Sequence, residues 1–326
     1  MLKIANGVIA VAAGVAGAMV LFWVLNALVE RLPPKWEQRL KPYVFAGPAL
    51  AALALFLVFP AVLTIRDSFF DSNSTQFVGL RNYTTMLGQS DVLSVFFNNI
   101  IWIIMVPTFS VIFGLAVAVL ADRLKPRWEN VSKSVIFLPM AISFVGAATI
   151  WNFVYAFRPP GRPQIGLFNA IWTAIGFQPV AWLQTPTLRL NTLLLTIVMI
   201  WMQAGFAMVL LSAAIKSVPE ETIEAARIDG ATEVQSFFRV VIPQIKSTIF
   251  VVFTTITILV MKIFDIVFAL TGGNYNTDVV ANRFYFELFR FFENGRAAVL
   301  VVVLMLAIIP LMIANIRRFR EEEAIR

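Results

Sequence analysis

The chain has no cysteine and no histidine among its 326 residues. Their absence removes thiol nucleophiles, disulfides, Cys/His zinc sites and imidazole acid–base chemistry from its side chains. It does not decide compartment, because a chain without cysteine suits either redox setting. Charge is also scarce, at 14% of residues against about 25% in an ordinary soluble domain. No Gly-x-x-x-x-Gly-Lys-Ser/Thr stretch occurs, so the chain has no phosphate loop of that kind with which to split a nucleotide. No metal-ligand cluster and no pair of carboxylates at a span end can be read, which argues against a membrane enzyme. Apolar residues fill the space instead, at 59% of the sequence, with a mean hydropathy of +0.81. That is the composition of a chain embedded in a bilayer. In such a chain a net charge of +7 reports basic loops rather than nucleic-acid binding.

Seven apolar stretches are long enough to cross a membrane: 7–29, 44–65, 97–121, 134–156, 190–214, 248–270 and 297–316. Backbone groups in lipid must bond within their own segment, so the expectation is an all-α integral membrane protein of about seven transmembrane helices. Pro48, Pro60, Pro107, Pro139 and Pro310 lie inside these stretches and predict kinks. The connections 30–43, 122–133 and 215–247 and the tail 317–326 each hold four Lys or Arg. The opposite connections are longer and sparser in basic residues. The denser side is therefore expected in the cytoplasm, with the N-terminus outside and the C-terminus inside. The first stretch has one early positive charge and no clear small-x-small cleavage site, so a retained span is expected rather than a cleaved signal. No internal repeat or low-complexity linker divides the chain, which predicts one membrane domain.

Residues 215–247 read IKSVPEETIEAARIDGATEVQSFFRVVIPQIKS and carry nine charges between two greasy stretches. Ser217 and Glu220 are spaced as a capping box, and Pro219 suits a first helical turn. Glu220 and Glu221 sit where the helix dipole favours negative charge. Ile223, Ala226 and Gly230 fall on one face of little bulk, and Glu224 is spaced to pair with Arg227. Gly230, after Asp229, is expected to end the helix in a left-handed turn. Thr232 and Gln235 make a second capping box for a short helix that Pro243 closes. Four positive and five negative charges suit no phosphate backbone, so no nucleic-acid partner is expected. Read physically, the stretch is either an interfacial connection or a docking surface.

Its spacing narrows the choice. Glu224-Ala225-Ala226, three residues, Gly230, then nine residues to Val240-Val241-Ile242-Pro243 resembles the cytoplasmic loop of permease subunits of binding-protein-dependent ABC importers. The family pattern ends Ile-x-Leu-Pro; valine and isoleucine take the two apolar places here. The stretch ALTGGNYNTD, 269–278, is similar to the external Thr-Gly-Gly loop of maltose and α-glucoside permeases, many of which carry proline where Asn274 or Tyr275 stands. ENGRAA, 293–298, is similar to the α-glucoside branch. The resemblance covers residues 44–320. It sets 1–43 apart as an extra N-terminal helix and basic linker ahead of a permease domain, 44–326. It implies a type I ABC importer transmembrane fold and the role of permease subunit for a sugar (an α-glucoside, oligosaccharide or glycosylated polyol). It also implies that Glu224, Ala225, Ala226, Asp229, Gly230 and Pro243 form the ATPase-coupling site. The implied partners are a second, different permease subunit, two ATP-binding subunits and an extracytoplasmic sugar-binding protein. The chain would need no cofactor of its own, ATP being bound by those subunits.

Polar residues within the spans are the candidates for a substrate path. Lys262 lies near the centre of the sixth stretch, where a charge costs about 3 kcal/mol on insertion scales, and Asp265 is its i+3 neighbour. The two either line a wet path or pair to fix packing. Asn152 and Tyr155 beside Trp151, and Trp201 with Gln203, offer the aromatic faces and amides that sugars need. The same residues also serve as interfacial aromatics and interhelical glue. RFYFELFRFF, 283–292, reads as a helix at the bilayer surface or as a docking face for the external binding protein. A gradient-driven secondary transporter is the competing function. It would show broken helices in matched positions of two halves, and ion coupling would not require the 215–247 loop.

Overall fold

Apolar spans leave the backbone no partner but itself, and the result is helical throughout. The computed structural model describes residues 2–325, and among them there is no β-strand beyond an isolated bridge between Phe70 and Phe77. In chain order the helices are α1 (Leu2–Val29), α2 (Pro34–Asp67), α3 (Arg81–Leu87), α4 (Ser90–Asp122), α5 (Pro126–Phe137) and α6 (Phe144–Val154). There follow α7 (Leu167–Ala174), α8 (Leu190–Lys216), α9 (Glu220–Ile228), α10 (Glu233–Met261), α11 (Asp265–Leu270), α12 (Val280–Phe289) and α13 (Asn294–Ile325). Six of these are long and apolar enough to cross a membrane, and α5 with α6 makes a seventh if the bent pair counts as one span.

Two expected spans are broken. The stretch 134–156 is not one helix: α5 passes into a 3₁₀ turn over Leu138–Ala141, and α6 leaves at 103°. Pro139 has no N–H to continue the ladder, and the Ser143 hydroxyl restarts it by accepting from the Gly146 N–H at 3.1 Å. The stretch 248–270 likewise stops at Met261 and resumes at Asp265. Two prolines, by contrast, interrupt nothing. A π-helical turn covers Ala54–Val58 before Pro60, and another covers Phe237–Val241 before Pro243. The wider i→i+5 ladder makes room for a proline ring. Pro243 therefore sits inside α10 and does not close a short helix, as the sequence suggested.

By its contacts the chain forms two compact units, Met1–Arg66 and Asp67–Arg326. In the first unit Phe22 stacks on Phe45, and large apolar side chains such as Trp23 and Phe56 point outward, as lipid-facing helices require.

The second unit packs around α8. Trp102 of α4, Leu195 and Met199 of α8, and Ile256 and Val260 of α10 share one buried core. Glycines set the spacing on two sides. A Cβ on Gly114 would lie 2.6 Å from the Ala207 Cβ and 2.7 Å from the Met208 nitrogen, so α4 meets α8 nearly backbone to backbone. A Cβ on Gly205 would lie 2.5 Å from the Ile136 carbonyl oxygen, bringing α5 equally close. Lipid gives helices no hydrophobic reason to associate, so contact of this kind carries the packing.

Buried asparagines mend the breaks. Asn99 of α4 donates to the Met261 carbonyl at 3.2 Å and accepts from the Val280 N–H at 2.8 Å. It thus caps the chain on both sides of residues 262–279. Asn98 donates to the carbonyls of Asn276 and Asp278, and Asn191 to that of Tyr275 at 2.7 Å.

Gly114→Val is expected to overpack the α4–α8 contact and lower the unfolding midpoint in detergent by about 5 °C, from an overpacking cost of roughly 1–3 kcal/mol. Gly14→Val, where a Cβ meets nothing within 4 Å, serves as the matched control with no shift.

Candidate functional site

The loop between α8 and α10 is built from two turns with different chemistry. At the first, Ser217 does not cap α9 as expected. Its hydroxyl donates back to the Ala214 carbonyl at 2.8 Å, and Pro219 holds the N-cap position without a side-chain bond. At the second, the backbone does the capping. The Gly230 N–H reaches the Arg227 carbonyl and the Ala231 N–H the Ala226 carbonyl, both at 3.0 Å, a Schellman closure with Gly230 at φ +83°. Space is not the reason for this glycine, since a Cβ there meets nothing within 4 Å; the sign of φ is. Thr232 and Gln235 then form the expected capping box at the start of α10. Arg227 does not pair with Glu224. It crosses the turn to Glu233 at 2.9 Å, an exposed bridge whose carboxylate pushes the guanidinium pKa up.

The two faces of α9 differ from the sequence reading. Ile223 and Ala226 are half-buried, and Ile223 lines a groove with Val119, Ile215 and Phe237. Glu224, Ala225 and Ile228 point outward, and Ile228 is 86% exposed. Asp229 and Gly230 are exposed at the end of the helix. Sequence reasoning did not single out Ile228. The signal was an isoleucine one helical turn beyond Glu224, on an otherwise polar face.

A cluster of ion pairs braces the base of this loop. Lys133 of α5 bonds Asp122 at 2.6 Å, Glu129 at 2.7 Å and the Ser212 hydroxyl, while Lys216 bonds Glu129. The side chains of Lys133, Asp122 and Glu129 are less than one-fifth exposed. The end of α4, the start of α5 and the end of α8 are thereby joined next to α9. Sequence reading passed over this cluster because its members lie in three different segments.

The intramembrane candidates separate into three places. Gln203 of α8 and Asp265 at the start of α11 meet in a cavity of about 500 Å³, with Ser143, Met202, Phe206 and Thr255. Gln203 is 7% exposed, makes no hydrogen bond among the described residues, and is not sealed from the cavity. Asn152 and Tyr155 line a separate cavity of about 210 Å³ at the far end of α8. The Tyr155 hydroxyl is already bonded, donating to the Leu194 carbonyl at 2.8 Å. Trp201 packs edge-on against Trp151 at 5.8 Å and lines neither cavity. Lys262 is exposed and lines neither. No ion pair joins it to Asp265 among the described residues, because the helix ends at Met261 and the i+3 geometry is lost. The aromatic stretch 283–292 is only partly a surface helix. Arg283 pairs with Asp91 and with Glu287, which is buried, while Phe289, Phe291 and Phe292 are exposed.

Residues 84–318 match the family described as the binding-protein-dependent transport system inner membrane component. The osmoprotective compounds uptake permease protein GgtC of Synechocystis sp. is 50% identical over 87% of this chain and all of its own length. The alpha-glucoside transport system permease protein AglF of Rhizobium meliloti is 43% identical over 99% of each chain. A chain of a bacterial ABC transporter that imports the acidic polysaccharide alginate superposes with a TM-score of 0.74 at 20% identity, over 87% of this chain and 98% of its own. That likeness gives the fold.

Lys133→Met is expected to cost about 2 kcal/mol by leaving Asp122 and Glu129 under-bonded. In a double-mutant cycle with Glu129→Gln, the pair should cost clearly less than the sum of the single changes. Chemical denaturation of the purified membrane domain reads both.

Proposed function

The chain belongs to the family of binding-protein-dependent transport system inner membrane components, and on that premise we propose how it works and what it carries. It is the permease subunit of an ATP-driven importer, with ATP hydrolysed by two separate subunits. Its cargo is a neutral glycoside, either an α-glucoside or a glycosylated polyol. The cargo is brought by an extracytoplasmic binding protein and passed between this chain and a second, different permease. The name of the relative at 43% identity, an alpha-glucoside transport permease, supports that cargo class. The basic connections support an orientation with α9 in the cytoplasm.

One observation carries the reading. A short helix with an apolar outward residue, Ile228, connects α8 and α10, which both line the central cavity, and its Arg227 is paired with Glu233 of α10. The ATPase subunit docks on Glu224, Ala225 and Ile228. A push there cannot be absorbed locally, because the Gly230 closure, the Thr232 cap and the Lys133 cluster stiffen the joint. It passes instead along α8 to Gln203, about 20 Å away at the helical rise, and along α10 to Thr255. Gln203 and Asp265 then meet the sugar hydroxyls with groups that have no hydrogen-bond partner among the described residues, and Met202 and Phe206 meet its apolar face. Ala226 and Asp229 shape the docking helix, and Pro243 belongs to the stem that carries the motion.

Ile228→Asp tests the docking face in the complete complex reconstituted with its ATPase subunits and binding protein. Uptake of radiolabelled trehalose or sucrose should fall at least about tenfold, as for loss of a central interface anchor. Pull-down of the ATPase subunits should weaken in parallel, and the unfolding midpoint of the membrane domain should hold. Unchanged uptake and pull-down would contradict the docking role.

A further inference from the structure

The cavity at the far end of α8 has a chemistry of its own. Asn152, Tyr155, Trp182, Gln184, Thr271 and Tyr275 are among its lining residues, and no charged side chain is. It adjoins the start of α8, where Asn191 donates to the Tyr275 carbonyl. From there Gln203 lies roughly 20 Å down the helix. Two of its aromatic residues are braced by their neighbours, the buried Tyr155 and the half-buried Trp182. Tyr155 is tied through its hydroxyl to Leu194, and its ring sits 5.1 Å from Phe168, edge to face. Trp182 sits edge to face with Trp172 at 5.6 Å and with Phe168 at 6.2 Å. The amides are the opposite. Asn152 and Gln184 are exposed, and neither side chain makes a hydrogen bond among the described residues. Tyr275, half exposed, is held in the left-handed region at φ +55°, a conformation that costs a non-glycine residue about 1 kcal/mol and is kept here by the Asn191 bond.

Aromatic side chains and unengaged amides lining one cavity suit one kind of ligand. A pyranose ring lays its C–H face on an aromatic and turns its hydroxyls to amide donors and acceptors. The lack of charge in the lining disfavours sugar acids and phosphates. We propose that this cavity is a receiving station for a single neutral pyranose ring, occupied before the glycoside reaches the central cavity. The proposal rests on the importer reading above. It adds a second binding place and assigns Asn152 and Gln184 as its hydroxyl-reading residues, with Trp182 and Tyr275 as its stacking walls and the buried Tyr155 behind them.

The absence of native cysteine makes a protection experiment direct. Leu183→Cys and Phe157→Cys, which line the cavity but read no hydroxyl, are made singly in the full complex in nanodiscs, with its binding protein present. Each is labelled with a small thiol reagent, with modification of this chain followed by mass spectrometry. Met140→Cys reports the central cavity, and Leu188→Cys, 91% exposed at the same end and outside the lining, is the control. Trehalose, sucrose and maltose are the probes, with glucuronate as the charged comparison. A station filled well above its dissociation constant slows labelling at positions 183 and 157 by about fivefold or more with at least one neutral glycoside. Glucuronate leaves these rates unchanged, and Leu188→Cys responds to none of the four. Protection at 140 without protection at 183 or 157 overturns the station and leaves the importer reading standing. Protection at none of the three positions removes both. Equal slowing at Leu188→Cys, or protection by glucuronate, overturns the station.

Discussion

A backbone group in hydrocarbon cannot stay unpaired, and the breaks at Leu138–Ala141 and after Met261 are each met by a side-chain bond. The 3₁₀ turn at Leu138–Ala141 is restarted by Ser143. The gap after Met261 is closed by Asn99, which holds the carbonyl on one side and the Val280 amide on the other. The π turns before Pro60 and Pro243 keep two spans continuous across residues that would otherwise stop them. These repairs have a consequence for function. The breaks create the cavities, since Ser143 and Asp265 both line the central one, and the repairs let those cavities exist in a bilayer.

The same constraint explains how force can cross the molecule. Helices that touch at glycine, as α4 and α5 do against α8, have little compliance between them. Beside α9, Lys133 ties α4, α5 and α8 together, and the Gly230 turn closes the helix itself. On the proposed coupling role, displacement at α9 would reach α8 and α10 together, and these two helices carry Gln203 and Thr255 on the cavity wall. The stiff path ends where the polar lining begins.

Much of this was legible in the sequence, and the misses share a cause. Span positions follow from apolar run length alone, and the Thr232 cap and Gly230 turn follow from local spacing, so these are found in the fold. Helix breaks are not local. Nothing in 248–270 announces a stop at Met261, because what stabilises it is Asn99, about 160 residues earlier in the chain. Lys262 and Asp265 looked like a pair only on the assumption of an unbroken helix. Pro243 looked like a terminator because run length does not reveal a π turn. The outward face of α9 was misjudged by its smallness: Ala226 and Ile223 turn inward, and the residue left outside is the bulky Ile228. The aligned polar pair Asn98-Asn99 in an apolar helix was a readable sign of the clamp.

The central claim is that motive force enters through α9. Site-directed cross-linking tests it most directly, with a single Ala225→Cys in this cysteine-free chain and a short bifunctional reagent in the assembled transporter. The account predicts a covalent product between position 225 and the ATPase subunit, and none from Phe292→Cys at the opposite end of the bundle. A product from position 292 with the ATPase subunit, and none from 225, would contradict it.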